Sequence, residues 1–160
     1  MAPQTPYAGE LGDRDPIAAM ADTPPRIRAM TGGWTAADFE RTYAPGKWTA
    51  RQILIHLAQT ELALGTRARM ALTIPGYAAH AFDPDRWLPL DSGLDAREAI
   101  DAFVAMAALN RAAFAGLSSA DRARTLSHPE YGTLTVDWIV HQMAGHQIHH
   151  ARQLEAIGRL

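Results

Sequence analysis

Apolar residues recur at three- and four-residue spacing along four long stretches of the chain, and no stretch shows the strict alternation of a half-buried strand. The first stretch opens at Asp15-Pro16 and passes Ile27 and Met30 before it stops at Gly32-Gly33. Inside it, Thr23-Pro24-Pro25 reads as a fresh N-cap followed by proline in a first turn, so this segment is either kinked or two helices in series. Thr35 and Asp38 have capping-box spacing for a short helix. The clearest helix start is Thr49, where Gln52 completes a capping box and Trp48 and Ile53 can form the hydrophobic staple. That helix is expected to run to about Met70, carrying His56, Gln59, Thr60, Glu61 and Leu64, with Pro75-Gly76 ending the segment.

Residues 75–94 are too long and too aromatic for a mere turn, and loops of this kind often border a site. Asp83 and Trp87 either line its mouth or serve as a cap and a core residue. Asp95 and Glu98 start a third helix through Ile100, Phe103, Val104, Ala107 and Phe114, which Gly116 ends. Ser118 to Arg124 suits one helical turn. His128-Pro129-Glu130-Tyr131-Gly132 reads as a structural turn feeding a last helix capped by Thr133 or Thr135. The fold class expected is therefore all-α, a four-helix bundle with a long connection between helices two and three. Residues 1–14 are expected as a flexible lead-in and 15–160 as a single domain.

Composition narrows the chemistry. A chain of 160 residues, 48% hydrophobic, can bury a stable core. Net charge is −2 with no block of Arg or Lys, so no basic face for nucleic acid is offered. There is no cysteine, which removes disulfides, thiolate nucleophiles and cysteine-type zinc sites together. No apolar run is long enough to span a membrane, and the N-terminus lacks the basic start and apolar core of a signal peptide. A cytoplasmic protein is the expectation.

Four of the seven histidines fall in the last helix. His146 and His150, four residues apart, leave the same helix face about one turn apart. They share that face with Ile139, Met143, Gln153, Leu154 and Ile157, with His149 at its edge and His141, Ile148 and Arg152 nearly opposite. Two neutral imidazoles so placed either bind a divalent ion, with a third ligand from elsewhere, or are core histidines satisfied by hydrogen bonds. His56 is the only histidine of the second helix. Together with the pair it makes three imidazoles, the usual protein complement of an open catalytic site. Arg67 lies on the His56 face, where it either meets an anionic substrate or snorkels at the bundle end.

PGKWTARQILIHLAQTE and HPEYGTLTVDWIVHQMAGHQIHHARQL resemble the helix-two and last-helix signatures of the DinB/YfiT-like family. The likeness spans about residues 15 to 158. It implies a four-helix bundle, often a homodimer, with one divalent metal ion held by His56, His146 and His150. Activities in that family are scattered, including transfer of low-molecular-weight thiols and thiol-dependent isomerisation of maleylpyruvate. Similar members often carry acidic residues where this chain has Gln59 and Gln147, which leaves orientation of the ligands weaker or to Glu61.

With no serine-triad elbow and no glycine-rich phosphate loop, any enzymatic chemistry here belongs to the metal. The leading expectation is a metal-dependent thiol S-transferase or hydrolase acting on a small-molecule substrate, with zinc or nickel the most suitable ion. The alternative is a non-catalytic metal-binding or ligand-sensing bundle, closed by a fourth ligand such as His149 or Glu130. A third is a purely structural, metal-free bundle.

Overall fold

The computed structural model describes residues 3–160. In chain order the elements are α1 (Ala8–Leu11), α2 (Pro16–Met30), α3 (Ala36–Phe39), α4 (Ala50–Thr73), α5 (Pro84–Trp87), a 3-10 turn (Leu88–Asp91), α6 (Ala96–Ala115), α7 (Ser119–Arg122), β1 (Thr125–His128), β2 (Gly132–Thr135) and α8 (Val136–Gly158). The four long helices form a four-helix bundle. The capping boxes at Thr35/Asp38, Thr49/Gln52 and Asp95/Glu98 are all formed. Each satisfies backbone N–H groups that a helix start leaves unpaired, an effect worth about 1 kcal/mol. Of the two candidate caps for α8, Thr135 takes the role, accepting from the Trp138 N–H at 3.0 Å. No helix among the described residues is long and apolar enough to cross a membrane.

Around the bundle, α4 packs against α6 and α8, and α2 packs against the same two helices from the other side. Consecutive long helices α2 and α4 thus lie on a diagonal. Buried apolar residues fall into two clusters. One holds Ile53, Leu54 and Leu57 of α4 with Leu154 and Ile157 of α8; the other holds Leu64 and Ala68 of α4 with Ile139 and Met143 of α8. The shared clusters show that α4 and α8 run antiparallel. Between the clusters lies a buried polar layer: His56, Gln59, Thr60 and Glu61 on α4, Asn110 on α6, and His146, Gln147 and His150 on α8. Gly65 makes room for this layer, since a Cβ there would meet Asn110 Oδ1 at 2.3 Å.

Three expectations are narrowed or changed in the structure. First, α2 is one continuous helix with Pro24 and Pro25 inside it, not two in series. The Thr23 hydroxyl donates to the Ala19 carbonyl at 2.9 Å, a back-bond of the kind that bends a helix, while the Met20 and Ala21 carbonyls lose the N–H donors that Pro24 and Pro25 lack. Second, β1 and β2 form an antiparallel hairpin with Leu126 opposite Leu134 and His128 opposite Gly132. Its strands are four residues each, too short for a period of two to register, and Gly132 takes a positive φ of 69° at the turn. Ser127 also pairs with the connection after α4, accepting from Ala79 N–H at 2.9 Å and donating to the Tyr77 carbonyl at 3.1 Å.

Third, the segment expected as a loose lead-in packs on α8. The Trp138 indole donates to the Gln4 carbonyl at 3.0 Å, Leu11 is buried, and Arg152 pairs with Glu10. These contacts are tertiary, so no local periodicity announces them. On the α8 face opposite the histidine stripe, Ile148 is buried as well, because it joins the apolar cluster of Leu11 and Met20.

Candidate metal centre

His56 reaches the polar layer from α4, one turn before Thr60, and His146 and His150 reach it from the facing side of α8. The Nε2 atoms converge: His146 Nε2 stands 2.9 Å from that of His56 and 3.0 Å from that of His150. All three rings are buried. Hydrogen bonding alone serves this triangle poorly, because each ring nitrogen carries one proton or one lone pair and His146 Nε2 faces two neighbours. The separations do fit three donors around a single ion. With metal–nitrogen bonds of about 2.0–2.1 Å, adjacent donors stand about 2.9 Å apart at right angles and about 3.4 Å at tetrahedral angles. Among the described residues, this is the group of His, Asp and Glu side chains close enough to share an ion, and it has three members.

Electrostatics favours ligand-ready rings. Burial lowers the His56 pKa to about 4. Burial, then the neighbouring His56, lowers His150 to about 3 despite an opposing hydrogen bond to the Gln153 oxygen. Burial first, then the adjacent histidines, pushes His146 well below its ordinary value. At neutral pH all three are uncharged, so an incoming cation displaces no proton from them.

A chain of hydrogen bonds sets the His150 tautomer. The Gln153 amide donates to Tyr43 Oη at 3.2 Å and to His149 Nε2 at 3.0 Å. Its oxygen is left to accept from His150 Nδ1 at 2.7 Å, so the proton sits on Nδ1 and the lone pair on Nε2. His149 in turn donates through Nδ1 to Glu10 Oε1 at 3.2 Å. His149 therefore supports the centre instead of closing it. His56 Nδ1 is buried without a partner.

Among the described residues, neither Gln59 nor Gln147 hydrogen-bonds a histidine ring. Gln59 donates to the Trp87 carbonyl at 2.9 Å and to Asp91 Oδ2 at 2.6 Å, tying the long connection to α4. Gln147 donates to Glu61 Oε1 at 2.7 Å, while Asn110 donates to Glu61 Oε2 at 2.8 Å. Glu61 is an inter-helix residue with no cationic partner, and burial raises its pKa to about 7 against the opposing pull of those two hydrogen bonds.

The centre opens into a cavity of about 280 Å³. Tyr7, Trp48 and Phe82 line it near the histidines: Tyr7 meets His146 edge-on at 5.2 Å between ring centroids, and Trp48 lies 4.8 Å from His56. Arg67, His128 and Tyr131 line it farther off. Sequence reading took His128 and Tyr131 as structural and gave Tyr7 no role; their place in the wall depends on the hairpin and the N-terminal segment. Asp83 acts as the α5 cap, accepting from Asp85 and Arg86 N–H. Trp87 backs the wall through an edge contact with Phe82 at 4.9 Å.

Residues 19–154 match the sequence profile of the DinB superfamily. The chain belongs to that superfamily. Among related DinB proteins, one from Oceanobacillus iheyensis named a putative metal-dependent hydrolase is 26% identical over 142 residues, covering 88% of this chain and 83% of the relative. A second protein of that organism with the same kind of name is 24% identical over 125 residues, covering 74% and 69%. In structure, the DinB fold seen here superposes on YfiT from Bacillus subtilis, described as a probable metal-dependent hydrolase with an unusual four-helix bundle topology. The TM-score is 0.83 at 22% identity, over 90% of this chain and 84% of YfiT. The mycothiol-dependent maleylpyruvate isomerase shares the fold at a TM-score of 0.70 and 14% identity, with 94% of this chain matched to 61% of that protein.

Proposed function

We propose that this chain is a metal-dependent enzyme of hydrolase type in which His56, His146 and His150 hold one divalent ion. Zinc and nickel suit three imidazoles best. The observation that carries the reading is the convergence of three uncharged Nε2 atoms, 2.9 and 3.0 Å apart, at the wall of a ligand-sized cavity. The names of the Oceanobacillus relatives point the same way. Bound there, the ion supplies Lewis acidity, polarising a carbonyl or making a coordinated water or thiol easier to deprotonate.

The protein's own contribution is positioning and exclusion of water. Gln153 holds His150 in the ligating tautomer, and Trp48, Phe82 and Tyr7 screen the centre with aromatic surface. Gln142, one turn before His146, lines the cavity with a buried Oε1 that has no partner, an acceptor for a substrate N–H or O–H. A non-catalytic metal carrier is less well supported: three ligands leave the ion's remaining positions to whatever enters the cavity.

A thiol-dependent transferase or isomerase is the second reading. It draws on the fold shared with the mycothiol-dependent isomerase. This chain has no cysteine, so the thiol in that reading is a separate small molecule.

Metal analysis of untagged protein by mass spectrometry tests the centre. Wild type should carry about one ion per chain, and His56→Ala and His146→Ala should carry none while remaining folded. A metal-free wild type that also ignores added Zn²⁺ and Ni²⁺ would overturn the reading. A metal-loaded protein then goes to a screen of ester and amide hydrolysis beside thiol transfer, which separates the two readings.

A further inference from the structure

We propose that the end of the cavity away from the histidines is an anion receptor, built from Arg67, His128 and Tyr131, that selects substrates bearing a carboxylate. The proposal rests on the metal reading above, and it names the substrate class for that same pocket.

Among the described residues, Arg67 is the only Lys or Arg in the cavity wall. It lies about three turns beyond His56 on α4, and helical side chains lean toward the N-terminal end, so the long side chain leans back toward the centre. The guanidinium is half-buried, and among the described residues it forms no ion pair, which sets it apart only together with its place in the cavity wall. It donates one hydrogen bond, to the His80 carbonyl, of the five that a guanidinium can make. A half-buried cation with idle donors in a pocket wall is a receptor for a carboxylate, which guanidinium meets in a two-pronged geometry.

His128 adds a second donor. Its ring is buried, and Nδ1 accepts from the Glu130 N–H at 3.2 Å. The proton of the neutral ring therefore sits on Nε2, which makes no hydrogen bond within the described residues. Burial and the neighbouring Arg67 charge keep the ring neutral, as this tautomer requires. Tyr131 packs against His128 with the rings tilted by 43° and 5.1 Å between centroids, and it brings a phenol to the rim. Glu130 also reaches the rim; it is exposed and forms no ion pair with Arg67, and its negative charge acts on both Arg67 and His128 as a smaller influence than burial. Between this end and the histidines stands the unpartnered Gln142 oxygen. The substrate that fits is an extended carboxylic acid whose reacting group lies at the other end, with an N–H or O–H donor between.

Titration calorimetry of zinc-loaded protein with two probes, 6-mercaptohexanoate and 6-mercaptohexan-1-ol, tests the receptor. Both present the same thiol to the metal and differ only at the far end. Wild type should prefer the acid by roughly tenfold or more, less so at high salt. Arg67→Gln should erase the preference while metal content and affinity for the alcohol stay unchanged, and Arg67→Lys should keep part of it. Equal binding of acid and alcohol by metal-loaded wild type overturns the proposal, as does a preference that survives Arg67→Gln. A metal-independent arm uses hexanoate with chelator-treated protein, followed by saturation-transfer NMR. Binding there, lost in Arg67→Gln, supports the receptor even if the protein takes up no metal; no binding in either arm overturns it. Failure of the metal reading shows instead as absent zinc, with the hexanoate signal intact.

Discussion

The two ends of the cavity are made from different kinds of backbone. At the histidine end, every candidate ligand sits on a long capped helix, and the spacing between His146 and His150 follows from helical geometry alone. At the Arg67 end only the arginine is helical. His128 and Tyr131 belong to a short hairpin, which is itself tied through Ser127 to the connection after α4. Near the histidines, Tyr7 closes the wall from the N-terminal segment, which is held on α8 by an indole hydrogen bond, the Glu10 contacts to Arg152 and His149, buried Leu11 and a tight approach to Gly145. The proposed reactive centre therefore rests on α4 and α8 alone, whereas the proposed selective surface joins α4 to a hairpin distant in sequence. That division suits a family whose fold is common and whose reactions differ.

The hardest break falls on the histidine end. His146→Ala should abolish metal uptake altogether, because the ring is the shared neighbour of the other two, and mass spectrometry of the purified variant reads this directly.

Next comes the polar layer. Glu61 has an ordinary pKa of 4.5 that folding raises to about 7. Between those values the folded state holds a proton that the unfolded state has released, so stability falls as pH rises through that window and levels off above it. Glu61→Gln removes the charge while keeping the shape, and its amide can donate to Gln147 Oε1, which is buried without a partner. The variant should be more stable than wild type at pH 8 by on the order of 3 kcal/mol and little changed at pH 4.5, as urea titrations at the two pH values will show.

Gln153→Ala sharpens the comparison more gently. It frees the His150 ring without removing a ligand, so zinc affinity should fall about 10- to 100-fold in a chelator competition. An unchanged affinity would mean that packing alone orients the ring.

The smallest effect is expected at the tethered wall. A Cβ on Gly145 would meet the Tyr7 carbonyl at 2.5 Å, so Gly145→Ala should lift the N-terminal segment from α8. The cost should be about 1 kcal/mol, with metal content kept and amide exchange of residues 3–14 accelerated.

Much of the histidine end was legible in the order of residues. Thr49 with Gln52 and Asp95 with Glu98 place helix starts through bonds spanning three positions, so they can be read locally. The same holds for His146 and His150. That His56 meets them was inferred from the number of imidazoles and a family likeness, since nothing local measures a distance across 90 positions of chain. Arg67 could be placed on the His56 face, but whether it ended in water or in a cavity depended on what packed beside it.

The sequence by itself determined four amphipathic helices, their caps and one helix face bearing two histidines, because each is a short-range consequence of helical period and backbone hydrogen bonding. Only the tertiary structure decided that three rings share one point, that Gln153 is the residue orienting His150, that Glu61 is held among amides, and that Tyr7, His128 and Tyr131 line the cavity. Those are long-range contacts, made when separate segments bury apolar surface together, and their partners are chosen by packing and not by spacing along the chain.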